Sequence, residues 1–137
     1  GMMHCCSSVL PGMQEKGGGK MINVSSIYGS RGSGEEEHPA VAYNPSKFAV
    51  EGLTKTLAIK LARYKIYVNC IAPGLVETKF ADVLENTPSI HEAIIERAAL
   101  RRHGQPDEIA GAAHFLVSAA ASYMTGQVMV IDGGTRY

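Results

Sequence analysis

The residue types and spacing of Tyr43 and Lys47 suit proton transfer. The two residues lie four positions apart near the start of the longest segment with helical periodicity. Side chains four positions apart on a helix are neighbours, so we expect the Lys47 ammonium to lie beside the Tyr43 phenol. A neighbouring positive charge favours the ionised form of a phenol, which can then act as a general acid and base. A tyrosine and a lysine one turn apart also form ordinary surface pairs, so the surrounding elements decide between these interpretations.

Six segments with regular hydrophobic patterns surround this pair. In three of them apolar residues recur at three- and four-residue steps, which is typical of amphipathic helices. The other three are short apolar runs bounded by Gly, Ser or Pro, which is typical of strands buried on both faces. The helices are predicted at residues 2–16, 42–63 and 106–121, and the strands at residues 20–26, 66–72 and 128–131. This alternation predicts an α/β fold with right-handed crossovers and helices on the faces of a parallel sheet.

The same patterns predict which residues are buried. The apolar faces are expected to consist of Met2, Cys6, Val9 and Met13 in the first helix and of Val50, Leu53, Leu57 and Leu61 in the second. Glu51 falls among the polar positions of the second helix. Residues 27–39 have no period and are rich in Gly, Ser and Glu, which predicts a solvent-facing loop. Residues 78–104 mix short apolar clusters with charges, which predicts short mobile helices that could form a lid.

Polar residues follow the predicted strands at their carboxyl ends. Ser25 and Ser26 end the first strand, and residues 74–78 follow the second, while Tyr43 and Lys47 begin the long helix. In an open α/β sheet, ligands bind in the crevice beyond the carboxyl ends of the strands. We therefore expect these three groups to share one site.

Composition and charge exclude several classes of partner. The 137 residues contain 13 Lys and Arg against 13 Asp and Glu, so no basic field attracts nucleic acid or an anionic membrane. No apolar run reaches the roughly 18–20 residues of a membrane helix, and no export signal is apparent. Three cysteines, two of them adjacent, do not suggest a disulfide framework. We expect a soluble, cytoplasmic protein with no nucleic-acid or membrane partner.

Five motifs follow one another through nearly the whole chain. They read Asn-Val-Ser-Ser at 23–26, Tyr-Asn-Pro-Ser-Lys at 43–47, Val-Asn-Cys-Ile-Ala-Pro-Gly at 68–74, Gly-Gln-Pro-Asp-Glu-Ile-Ala at 104–110, and Thr-Gly-Gln at 125–127 leading to Asp-Gly-Gly at 132–134. In type and order they resemble the motifs of the classical short-chain dehydrogenase/reductase (SDR) family. That family has an NVSS-type strand end, a Tyr-x-x-x-Lys helix start and a VNxIxPG strand end.

The resemblance implies hydride transfer between NAD or NADP and a small carbonyl or alcohol substrate. It implies that Tyr43 is the general acid and base, and that Lys47 assists Tyr43 and hydrogen-bonds the nicotinamide ribose. Ser26 would hold the substrate oxygen. The loop against the nicotinamide end of the cofactor would comprise Pro73, Gly74, Val76 and Thr78. The resemblance also implies a homo-oligomer, either a dimer or a tetramer.

The serine assignment departs from the family pattern. Ser26 and Tyr43 are 17 positions apart, which is longer than the usual spacing, and Ser30 lies nearer to that spacing. We favour Ser26 because it ends the strand, and we assign the excess to a loop insertion around residues 34–38.

The resemblance covers the C-terminal half of the family's domain. It implies that residues 1–137 form the C-terminal portion of one Rossmann-like, doubly wound NAD(P)-binding domain, with three strands and their flanking helices. No residue here matches the family's glycine-rich pyrophosphate turn, its ribose selector or the asparagine of its catalytic set. We therefore expect the 137-residue chain alone to be inactive, with an open apolar edge on its first strand. The alternative function is that of a catalytically incompetent fragment that acts only as an oligomerisation module.

Other catalytic motifs fit the sequence poorly. Residues 17–20 read Gly-Gly-Gly-Lys, but Met21 follows where a phosphate-binding loop requires Ser or Thr, so we interpret the glycines as a helix stop. No G-x-S-x-G nucleophile elbow occurs. The histidines and cysteines lack metal-ligand spacing, and we predict no metal site.

Overall fold

The computed structural model describes residues 1–32, 41–78, 92 and 95–135. All six predicted helices and strands are present within these residues and have the predicted type. They are α1 (Met2–Glu15), β1 (Gly19–Val24), α2 (Tyr43–Leu61), β2 (Ile66–Pro73), α3 (Pro106–Val117) and β3 (Val128–Ile131). Single 3-10 turns at Ile27–Gly29, Ala62–Tyr64 and Ala119–Ala121 follow β1, α2 and α3, respectively.

The three strands form a parallel sheet in the order β1-β2-β3. Gly19 pairs with Ile66 at the start of the β1–β2 ladder, and Pro73 pairs with Ile131 at the end of the β2–β3 ladder. All three carboxyl ends therefore meet at one edge of the sheet, as the alternation of elements predicts. Among the described residues, β1 pairs with β2, and β2 pairs with β3 on its other side.

The apolar core lies around β2. Val68, Cys70 and Ala72 are fully buried, and Ile66 and Ile71 are almost so, which confirms that β2 is covered on both faces. One buried cluster joins α1 and α2 to the sheet and comprises Cys6, Met21, Ala58, Leu61, Ile66 and Val68.

The predicted face of α1 is correct except at one position. Cys6 is buried, and Met2 and Met13 pack against the core cluster. Val9 is exposed, and Leu10 packs against the cluster in its place. The two residues lie three and four positions after Cys6 and so point to opposite sides of it, and the core covers the side of Leu10.

Two other expectations of burial are wrong. On α2, Glu51 and Thr54 are buried together with Ala58 and Leu61, although Glu51 was expected among the polar positions. The carboxyl end of β1 presents polar side chains to this part of the helix, so the matching positions on α2 are polar. In the predicted solvent-facing loop, the 3-10 turn Ile27–Gly29 is buried.

Part of the predicted loop and most of the predicted lid cannot be compared with the structure. Residues 33–40, 79–91, 93 and 94 lie outside the described residues. In the part of the chain that is described, no helix combines the length and apolar character needed to cross a membrane.

Candidate active site

The first group of candidate residues follows β1. Ser25 N donates to Ile71 O over 2.8 Å, which extends the β1–β2 ladder by one bond. Ser26 then caps the 3-10 turn, because its Oγ accepts a hydrogen bond from Tyr28 N over 3.3 Å. Both serines are buried. The end of the strand and the cap of the turn together determine where the Ser26 hydroxyl lies.

Tyr43 and Lys47 lie together in the first turns of α2, as their spacing predicts. Lys47 Nζ is 5.4 Å from the centre of the Tyr43 ring. The same ammonium donates to Val24 O, the last carbonyl of β1, over 3.4 Å. The contact brings the start of α2 to the carboxyl end of β1, where Ser26 is located. Pro45 is accommodated in the first turn, where amide hydrogens have no partner within the helix.

Tyr28 also contacts this group, and the sequence analysis did not identify it. Its ring meets the Tyr43 ring edge-on, with centroids 6.4 Å apart and planes inclined by 75°. The Arg31 guanidinium lies 4.8 Å from the centre of the Tyr28 ring. Burial raises the pKa of Tyr28 above its ordinary value, although the positive charges of Arg31 and Arg97 oppose the rise. A protonated phenol therefore packs against Tyr43 at neutral pH.

Glu51, which the sequence analysis expected among the polar positions of the helix, also lies near this group. Its buried carboxylate lies one turn beyond Lys47, and Ser25 Oγ donates toward Glu51 Oε1 at 3.2 Å. The same Oγ is 3.1 Å from Lys47 O. The sequence contains one signal for this arrangement, since a serine at the end of a buried strand needs a polar partner.

Ser30 takes a different place from Ser26. It is exposed, and it ends the 3-10 turn with its hydroxyl 3.5 Å from Ile27 O. Ser26 is the serine that adjoins the strand end near Tyr43 and Lys47.

The loop after β2 begins with a close approach between two backbones. Gly74 N donates to Ile131 O over 2.9 Å. A Cβ atom at Gly74 would lie 2.8 Å from Asp132 Cα, so only glycine fits without displacement. Val76 then pairs with Gly104 in an isolated parallel bridge, and Thr78 is exposed. Pro73, Gly74, Val76 and Thr78 therefore lie at the same edge of the sheet as Ser26.

Hydrogen bonds around an ion pair connect this loop to the start of α3. Arg102 binds both carboxylate oxygens of Glu108, with N–O distances of 2.7 and 2.8 Å. Glu108 also accepts from Gln105 N, and Gln105 Nε2 donates to Glu77. The hydrogen bonds from Arg102 and from the Gln105 amide lower the pKa of Glu108 to about 2. The contacts hold residue 77, next to Thr78, against the first turn of α3.

A small cavity of about 90 Å³ lies between this loop, the end of β3 and α3, and its lining includes Leu75, Ile109 and Ile131. Across the described ranges, no three His, Cys, Asp or Glu side chains come together in a way that could hold a metal ion.

Sequence comparison identifies the class of protein to which this fold and site belong. The family model described as "Enoyl-(Acyl carrier protein) reductase" matches residues 1–136. The human protein "Dehydrogenase/reductase SDR family member 4" is 45% identical over 129 residues, which are 93% of this chain and 45% of the relative. "Nodulation protein G" of Azospirillum brasilense is 38% identical over 136 residues, 99% of this chain and 53% of the relative. The chain belongs to the short-chain dehydrogenase/reductase family.

Comparison with solved structures confirms the Rossmann-like α/β fold. A putative 2-deoxy-D-gluconate 3-dehydrogenase from Agrobacterium tumefaciens, solved with bound NADP, superposes with a TM-score of 0.90 at 36% identity. The match covers 97% of this chain and 53% of that structure. A 7α-hydroxysteroid dehydrogenase complexed with NADH and 7-oxo glycochenodeoxycholic acid has a TM-score of 0.86 at 35% identity, and the match covers 97% and 50% of the two chains. The chain thus spans about half the length of these relatives.

Proposed function

We propose that the protein is an NAD(P)-dependent oxidoreductase that interconverts a carbonyl and an alcohol, and that residues 1–137 form the C-terminal portion of its single cofactor-binding domain. The observation that carries the proposal is the contact between the Lys47 ammonium and the Tyr43 ring at the carboxyl end of β1. Ser26 ends the same strand. The dinucleotides bound by the two structural relatives support the choice of cofactor.

Each of the three residues has a distinct role in this proposal. The Tyr43 hydroxyl gives a proton to the carbonyl oxygen during reduction and takes it back during oxidation. The Lys47 ammonium stabilises the phenolate that remains. Ser26 donates a hydrogen bond to the same substrate oxygen and so orients it toward Tyr43.

The donor set at this edge of the sheet fits the nicotinamide end of a dinucleotide. An ammonium and a phenol side by side can hydrogen-bond the ribose hydroxyls, and the backbone after Pro73 and Gly74 adjoins the same edge. Val76 and Thr78 would contact the nicotinamide from the loop. When bound, the nicotinamide supplies or accepts the hydride.

Subunit contact and a cytoplasmic location form part of the proposal. Phe48 and Ile59 are exposed on α2 and lie eleven positions apart, which puts them on one stripe of the helix. Such a stripe supports a homo-oligomer, either a dimer or a tetramer. Cys5, Cys6 and Cys70 are all free, which is consistent with a reducing compartment.

Substitution of Tyr43 by phenylalanine tests the proposal in the protein expressed from its complete gene. The oxidation of NADPH and NADH is followed with 5-ketogluconate, a 3-oxoacyl thioester and a 7-oxo steroid, because similar solved structures include a gluconate 5-dehydrogenase, a 3-oxoacyl-[acyl-carrier protein] reductase and the 7α-hydroxysteroid dehydrogenase. We expect Tyr43→Phe to lower kcat about 100-fold or more, because the proton donor is lost. Tyr123→Phe is the matched control, since the Tyr123 side chain is fully exposed. If Tyr43→Phe retained the unmodified rate, the assignment of Tyr43 would be wrong.

A further inference from the structure

A buried hydrogen-bonded pair, Ser25 and Glu51, lies directly behind the candidate active site. We propose that the Ser25–Glu51 pair positions Ser26 relative to Tyr43 and Lys47, an inference that rests on the proposed function. Neither residue is assigned contact with substrate or cofactor. Both act through the elements that carry the reacting groups.

The Ser25 hydroxyl connects β1 directly to α2. It has one proton and two acceptors within reach, Lys47 O at 3.1 Å and Glu51 Oε1 at 3.2 Å. One acceptor is the carbonyl of the residue that carries the ammonium, and the other is a side chain one turn further along. A hydroxyl directed at both acceptors restricts the distance and the rotation of α2 relative to the strand end. Ser26 is the next residue in the chain, so the same contact determines its place.

Gly29 shows how tightly the 3-10 turn packs on this pair. A Cβ atom at Gly29 would lie 2.2 Å from Ser25 Oγ and 2.4 Å from Glu51 Oε1. The turn therefore lies directly on the pair, with no room for a side chain. The turn begins after Ser26, and it contains Tyr28, whose ring contacts Tyr43. The pair, the turn and the start of α2 thus form one closed set of contacts around the site.

The chemistry of Glu51 favours orientation over simple packing. Burying a carboxylate is unfavourable unless it is hydrogen-bonded, whereas an apolar side chain would fill the same space without that cost. Glu51 is only 7% exposed, and its carboxylate accepts a hydrogen bond from the Ser25 hydroxyl. An apolar residue would not accept a hydrogen bond and would leave the Ser25 hydroxyl with a single acceptor. Directional contact is what the carboxylate adds at this position.

A second polar pair on the same two elements provides a matched control. Asn23 Nδ2 donates to Thr54 Oγ1 over 2.9 Å, two residues earlier on β1 and three residues later on α2. Thr54 is completely buried. Removal of its hydroxyl should affect stability, but this pair lies farther from Ser26 and Tyr43 along both elements. Comparison of substitutions in the two pairs therefore distinguishes a positioning role of Ser25 and Glu51 from a merely structural one.

The test compares Ser25→Ala, Glu51→Ala and Glu51→Gln with Thr54→Val and Tyr43→Phe in the protein expressed from its complete gene. The assay uses NADPH or NADH with whichever of the three carbonyl compounds named above is reduced fastest. Binding of the reduced cofactor is measured by its fluorescence, and rates are expressed per folded molecule from the melting curve.

We expect Ser25→Ala and Glu51→Ala each to lower kcat about 10- to 100-fold, as misplacement of catalytic groups does, with the Kd of the cofactor changed less than about threefold. Glu51→Gln keeps an acceptor oxygen and should recover most of the lost rate. Thr54→Val should lower the melting temperature but leave kcat unchanged. If the Glu51→Ala protein does not fold, Ser25→Ala and Glu51→Gln decide the question.

Three results would contradict one proposal or the other. If Tyr43→Phe abolished turnover while Ser25→Ala kept the unmodified kcat, the positioning role would be overturned and the proposed function would stand. If Tyr43→Phe kept its rate, the proposed function itself would fail. A fall in kcat for Thr54→Val equal to that for Ser25→Ala would also overturn the positioning role, because both pairs would then be structural.

Discussion

Replacement of Gly74 by alanine tests how closely the ends of β2 and β3 approach each other. The new Cβ atom would lie 2.8 Å from Cα and 2.9 Å from Cβ of Asp132. Non-bonded carbons rest at about 3.5–4.0 Å, so the two backbones would have to separate by roughly 0.7 Å or more. Overpacking of this kind costs about 1–3 kcal/mol. At roughly 3 °C per kcal/mol, the melting temperature should fall by about 3–9 °C.

The same displacement should affect the residues proposed to meet the cofactor. Gly74 N donates to Ile131 O over 2.9 Å, and a wider gap lengthens that bond and shifts the loop that follows. We expect the KM for the nicotinamide cofactor to rise while kcat changes less. Steady-state kinetics at varied cofactor concentration and thermal unfolding together measure both effects.

Gly111→Ala is the matched control for this substitution. Gly111 lies inside α3, and no atom comes within 4 Å of an added Cβ. Alanine should stabilise that helix by about 0.5–1 kcal/mol, an effect of opposite sign. A Gly74→Ala protein that melts at or above the unmodified temperature, with an unchanged KM, would refute the close-approach argument.

Two further predictions concern stability. The pKa of Glu108 is lowered to about 2 from the 4.5 of an unperturbed carboxyl group, so its ion pair stabilises the fold above about pH 4.5 and the contribution is lost as the pH falls toward 2. The melting temperature of Glu108→Gln should therefore be lower than that of the unmodified protein at pH 6, and the two melting temperatures should nearly coincide at pH 2. An equal difference in melting temperature at both pH values would exclude this linkage. Leu61→Ala should lower the free energy of unfolding by about 2–5 kcal/mol in urea titrations, because Leu61 is buried in the core cluster. A loss of under about 1 kcal/mol would contradict that packing.

The sequence predicted the elements well because each has a strong local signal. β2 is an apolar run between Lys65 and Gly74 that only Asn69 interrupts, and it is buried on both faces in the structure. The glycines after α1 mark its end, and Gly17 and Gly18 adopt positive φ angles there. Pro106, Asp107 and Glu108 start α3 with a proline and an acidic first turn, and Glu108 closes a capping box with Gln105. Local chemistry of this kind can be read without knowledge of the tertiary structure.

The sequence was less informative where tertiary contacts override composition. Residues 27–29 read as the beginning of a polar loop, yet they are buried because Gly29 lets the turn pack on Ser25 and Glu51. The helical pattern placed Glu51 among the polar positions of α2. Such a pattern shows which residues of the helix are polar, but it does not show whether the surface that the helix packs against is polar as well. Ser25 was noted only as a member of a polar cluster, and its partner 26 positions away could not be inferred from spacing.

These misplaced residues reveal a division along the contact between β1 and α2. At the end of α2 farther from the site, Ala58 and Leu61 bury apolar surface, which stabilises the fold but imposes little direction. Nearer the site the contacts are hydrogen bonds, whose geometry fixes both distance and angle. An apolar contact near the site would stabilise the packing of α2 equally well, but it would allow small rotations of the helix and shifts of a fraction of an ångström. The Ser25 hydroxyl donates to the backbone carbonyl of Lys47 itself. The rotation of α2, which sets the direction of the ammonium and the phenol, is therefore coupled to the position of the strand end that carries Ser26.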